Sequence, residues 1–168
     1  MATPKSAWAL LVVGLVVAGI LGLALPVGAE ELHYKFYTYV MKQQEAPVAD
    51  VPGHTVSFYV RGAFYAFDTG EVATINHVAT GDLINGNGPF MQYETITFLD
   101  QSTIVMKKQG TNMGMGSQWT SEILLGTGRF TGIQGTARAK AAYFRREPGE
   151  GGAKGYGEGT LTYTLPAK

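Results

Sequence analysis

Cysteine is absent from the 168-residue chain. That excludes a disulfide framework, thiol catalysis and any cysteine-based metal centre. The three histidines, His33, His54 and His77, stand in no H-x-H or comparable pair, so no metal site is expected. No motif asks for a cofactor. No serine sits in a G-x-S-x-G elbow, which leaves serine hydrolase chemistry without local support. Neither sign of charge is in excess, with 13 basic and 13 acidic residues. A nucleic-acid partner, which selects a basic surface, is therefore not expected. The pairs Lys107-Lys108 and Arg145-Arg146 are too short to change this and read as solvated strand ends.

Long apolar runs are also missing, with one exception at the N-terminus. Lys5 precedes Ala7 to Leu25, which is apolar or glycine throughout. Pro26 ends the run, and Val27-Gly28-Ala29 offers the small residues a signal peptidase needs. The expectation is a signal helix over residues 1–29, cleaved before Glu30, and a secreted domain over residues 30–168. If uncleaved, the run approaches the roughly 20 residues of a membrane span and would anchor the domain to the cell envelope. No other membrane contact is expected.

The remainder of the chain is rich in aromatic and β-branched residues that alternate. Leu32, Tyr34, Phe36, Thr38 and Val40 share one face of a strand over residues 32–41. Residues 43–53, polar and carrying Pro47 and Pro52, read as a loop. Further strands are predicted over 55–67, 72–83, 90–99, 103–109, 118–125, 135–144 and 157–165. Arg61-Gly62 reads as a bulge, and Asp68-Thr69-Gly70 as a hairpin turn. The stretches 85–89, 110–116 and 147–155 read as loops. About eight short strands joined by tight turns predict an all-β domain, a barrel or a sandwich. Eight is the number at which an antiparallel up-and-down sheet closes, so an eight-stranded antiparallel up-and-down barrel is expected.

The segment Gly126 to Gly135, G-T-G-R-F-T-G-I-Q-G, has the wrong spacing for a dinucleotide fingerprint and lies between strands, with no helix N-terminus to hold phosphate. It reads as a corner, with Phe130 plugging the end of the core. Glu94 and Glu122 read as outward strand glutamates, since unpaired glutamate is rarely buried.

That corner resembles the G-T-G-[RK]-[FY]-x-G-x-x-G signature of the allene oxide cyclase and dirigent barrel superfamily. The run from Tyr93 to Gly110 is similar to that family's hairpin, and Val51-Pro52-Gly53 with Gly62 to Asp68 to further elements of its bacterial members. The resemblance implies an eight-stranded barrel with an apolar cavity, forming a homotrimer or homodimer. It does not carry the plant cyclase residues across. With the family's proline on Pro47, its glutamate, asparagine and serine fall on Thr38, Val40 and Ala46, and its cysteine near Ala79. The dirigent aspartate position is occupied by Tyr39-Val40.

In that register Thr38, Val56, Phe58, Val60, His77 and Tyr93 are expected to face the cavity as ligand-binding residues. His77 and Tyr93 are the candidates for a catalytic role. The function expected first is binding of an apolar or aromatic small molecule without the plant cyclase mechanism. The alternatives are an isomerase, cyclase or coupling guide, and a structural module at the cell surface.

Overall fold

The computed structural model describes residues 28–144 and 154–167. Most of the expected signal segment and of the turn over 147–155 lies outside the described residues. Eight antiparallel strands close into one barrel in simple sequence order. They are β1 (Glu30–Pro47), β2 (His54–Phe67), β3 (Val72–Ile84), β4 (Asn87–Phe98), β5 (Thr103–Met113), β6 (Gly116–Gly126), β7 (Gln134–Tyr143) and β8 (Lys154–Thr164). β1 pairs with β8 to complete the circle. Among the described residues no helix is long and apolar enough to cross a membrane.

The alternation in β1 survives intact. Leu32, Tyr34, Phe36 and Thr38 are buried, and His33, Lys35 and Tyr37 are exposed. Room for the two inward rings comes from the strand beside them. Phe36 pairs with Gly157 and Tyr34 with Gly159. A β-carbon at Gly157 would lie 2.2 Å from the Phe36 ring, and one at Gly159 2.5 Å from the Tyr34 ring. The two glycines of β8 are thus packing residues, each vacating the volume its cross-strand partner fills.

Several boundaries differ from the expectation. β1 runs on to Pro47 because residues 42–47 pair with Val60 back to Thr55. Their side chains are exposed, so no apolar alternation marked them as strand. The bulge lies in β1, between Val40 and Lys42, and not at Arg61-Gly62. The loop expected at 85–89 is a tight turn at Asn85 and Gly86, both with positive φ, and pairing resumes at Asn87. The loop expected at 110–116 shrinks to Gly114 and Met115, the rest belonging to β5 and β6.

The glycine-rich corner comes after β6. Gly128 to Phe130 form one 3-10 turn, and Gly128 takes φ 59°, where a side chain would also strike Ser102. Phe130 is buried. It packs against Phe98 with ring centroids 4.8 Å apart, and Phe98 against Phe67 at 5.3 Å. With Ile75, Ile96, Ile104, Met106, Ile133 and Leu161 these rings fill the end of the barrel where β2 finishes and β3 begins. We call this the closed end. The opposite end, toward the Asn85-Gly86 turn, is built differently.

Candidate functional site

Toward the open end the inward side chains become polar. One cross-strand row holds Arg61 of β2, His77 of β3 and Glu94 of β4, each directly opposite the next. The adjacent row holds Tyr59, Ala79, Gln92 and Lys108. Inward alternation continues through both rows, so these groups are carried into the interior by the same period that buries the core.

Glu94 and Lys108 are both 1% exposed, and their charged groups are in direct contact. The Tyr65 hydroxyl lies 3.1 Å from both Glu94 oxygens and accepts from Lys108 Nζ at 3.0 Å. The Gln92 amide donates to His77 Nδ1 at 2.8 Å and reaches Glu94 Oε2 at 3.4 Å. Lys108 Nζ also sits 5.0 Å from the centre of the Trp119 ring.

These contacts fix the charge states. Burial pushes the Glu94 carboxyl up, but the Lys108 ammonium beside it is the largest of the opposing effects, and the acid lies below its ordinary range. Burial lowers Lys108, against the pull of Glu94. Burial also lowers His77, overcoming the hydrogen bond and charge of Glu94. His77 is therefore a neutral imidazole at neutral pH. Its Nδ1 accepts from Gln92, which leaves the proton on Nε2.

That Nε2 is buried and finds no hydrogen-bond partner, and neither does Trp119 Nε1. Both side chains line a cavity of about 40 Å3, together with Phe36, Thr38, Tyr59, Arg61 and others. The space suffices for a few water molecules at most. At its mouth the Arg61 guanidinium sits between two rings, 5.1 Å from the centre of Tyr59 and 5.4 Å from that of Tyr143. Arg61 and Tyr143 are half-buried. No cluster of three potential metal ligands occurs among the described residues.

Of the residues expected to face the cavity, Thr38 and His77 do so. The other four do not. Val56 is 49% and Tyr93 47% exposed, and Phe58 and Val60 lie half-buried on the same outer face. The inward residues of β2 are Ser57, Tyr59, Arg61, Ala63 and Tyr65, one position out of step with the expectation. Both faces of β2 carry apolar residues, so alternation alone did not choose between them. Glu94 and Lys108 reverse the surface assignment for one reason: each is the other's partner. Glu122 is exposed, as expected. Sequence reasoning did not find Arg61, Gln92, Lys108 and Trp119. Lys108 was accessible by parity, since it shares a face with Ile104 and Met106.

A second concavity, of about 1080 Å3, is an open groove on the outer surface. It runs along the cross-strand line Gly110, Trp119, Ala139, Gly159, Tyr34, Phe67, whose side chains turn inward. Exposed polar residues flank it, with Lys140 paired to Glu158 at 3.0 Å and His33 bonded to Thr160 at 3.0 Å. The unpartnered atoms of Tyr34 and Trp119 belong to side chains that turn inward, away from it.

No protein-family model matches the chain, and no curated protein matches it in sequence. Solved structures do resemble it. A protein of unknown function from the DUF3224 family of Shewanella oneidensis MR-1 superposes with a TM-score of 0.52 at 17% identity, over 83% of this chain and 100% of that one. The pterocarpan synthase dirigent protein GePTS1 gives a TM-score of 0.49 at 16% identity, over 86% and 94% of the two chains. The pterocarpan synthase dirigent protein PsPTS1 gives 0.49 at 17%, over 83% and 97%. At these identities the likeness is one of fold. What the chain itself shows is a closed eight-stranded antiparallel barrel.

Proposed function

We propose that this is an exported barrel that binds an apolar or aromatic small molecule at its open end, without the plant cyclase mechanism. The observation that carries the reading is the pair of buried, unpartnered N–H donors on His77 and Trp119, lining a cavity walled by aromatic rings. A buried donor without a partner costs about 1–3 kcal/mol, which a ligand oxygen would recover. Aromatic walls with a few fixed polar groups are the composition of small-molecule sites. The present cavity is too small for a ring, so entry requires the Tyr59 and Tyr143 rings beside Arg61 to swing outward.

The test is native mass spectrometry and fluorescence titration of the secreted protein against a panel of small aromatic compounds. Saturable binding that Trp119→Phe weakens supports the reading, and a barrel that retains none of them defeats it. Should turnover accompany binding, His77 is the group within reach of a bound molecule, and Tyr93 on the outer face is not.

A separate observation favours self-association. Val60, Val78 and Tyr93 are successive cross-strand partners on the outer surface. Val56 and Met91 are exposed on the same face, and Phe58 is half-buried beside them. A contiguous apolar face of this kind fits an interface between copies of the chain. Light scattering should show a homotrimer or homodimer that Val60→Glu reduces to monomer. An unchanged mass for that variant would rule the face out.

A further inference from the structure

Among the described inward-facing residues of the open end, Arg61 is the cation whose charge is not answered. Lys108 is paired with Glu94. Arg61 makes no ion pair with any described carboxylate. At the rim, Glu45 accepts from the Gln43 amide at 2.5 Å and also acts on the Tyr59 hydroxyl, but makes no ion pair with Arg61. The Arg61 guanidinium carbon lies 5.1 and 5.4 Å from the centres of the Tyr59 and Tyr143 rings, a cation–π arrangement that does not use up its charge as a carboxylate would.

Its placement points the same way. Arg61 and His77 are direct cross-strand partners, both turned inward. Side chains so placed start about 5 Å apart at their β-carbons. One supplies a planar cationic fork, the other a neutral N–H with no partner. Two neighbouring donors, one charged, on a wall of aromatic rings, alanines and a few neutral or paired polar groups match the two oxygens of a carboxylate or a comparable oxyanion.

We propose that the ligand of the open end is a monoanion, an apolar or aromatic body carrying one carboxylate-like head, and that Arg61 and His77 are the residues that hold the head. This rests on the small-molecule binding reading and narrows it to one charge class. The Glu94–Lys108 pair is itself neutral, so among the described residues that line the pocket Arg61 is left as the one unpaired charge. A neutral ligand would leave that charge unanswered, a cation would be repelled, and a dianion would leave one negative charge unpaired in the aromatic wall.

The test uses matched probes on the full-length protein: 2-naphthoate and its neutral counterpart 2-naphthalenemethanol, titrated by calorimetry. A charge-assisted pair on Arg61 predicts that the acid binds about tenfold or more tighter. Arg61→Gln should bring naphthoate down to the affinity of the alcohol, and Arg61→Lys should restore part of the preference. Circular dichroism of each variant establishes that it is folded. Equal affinities in the wild type, with both probes binding, overturn the charge assignment and leave the binding reading standing. A preference that persists in Arg61→Gln places the anion elsewhere and also overturns it. Failure of both probes to bind overturns this proposal and counts against the binding reading with it.

Discussion

The two ends of this barrel obey the same strand period and use it in opposite ways. At the closed end the buried cluster is apolar, and the rings of Phe67, Phe98 and Phe130 pack into a plug. At the open end the inward positions hold Arg61, His77, Gln92, Glu94 and Lys108. An apolar interior is stabilised by burial alone and tolerates many arrangements. A polar interior is stable only when every member is satisfied. Here Glu94, Lys108, Tyr65 and Gln92 satisfy one another, and His77, Trp119 and Arg61 do not finish the set. The half whose hydrogen bonding is incomplete is the one to which the proposed binding is assigned.

The sharpest way to break this contrast is to unpair the buried charges. Glu94→Gln should cost about 3–5 kcal/mol in urea unfolding, because Lys108 is left as a buried cation without its counter-ion. Glu94→Gln combined with Lys108→Met should recover most of that loss, since no buried charge remains. If the double variant is as unstable as the single one, the pair is not what organises this half.

The corresponding cut at the closed end is Ile104→Ala, fully buried in the wild type. It should cost about 2–5 kcal/mol by the cavity it leaves, while leaving ligand affinity and pH response unchanged. A change in either would show that the two ends are coupled.

A smaller effect separates the ends by acid titration. His77 has a folded pKa below its ordinary 6.5, so the folded state binds fewer protons than the unfolded one. Its contribution is complete above that value and is lost as pH falls through the folded pKa. Glu94, also lowered, adds a second loss below its ordinary 4.5. Thermal melts should therefore show stability declining from about pH 6.5 downward, and His77→Gln should flatten the first part of that decline. An unchanged slope would mean that His77 is not held neutral by burial.

How legible was this in the chain? The barrel was, because Leu32 to Thr38 alternate cleanly and Gly126 to Gly135 can only be a corner. The site was read in part. Thr38 and His77 were placed inside, but β2 is apolar on both faces, with Phe58 and Val60 outside and Tyr59 and Tyr65 inside. Its inward face is set by pairing with β1 and β3, which no local pattern reveals. Glu94 and Lys108 were hidden for a different reason. Each alone belongs on a surface, and only the closure of β4 against β5 makes them partners. Arg61 and Trp119 carry no motif at all.

The most direct test tracks the indole N–H of Trp119 and the ring of His77 by NMR while 2-naphthoate is added. The account predicts saturable shifts at these two residues and none at Ile104 or Phe130. Shifts confined to the outer groove or to the face of Val60 and Tyr93, with Trp119 and His77 unmoved, would contradict it.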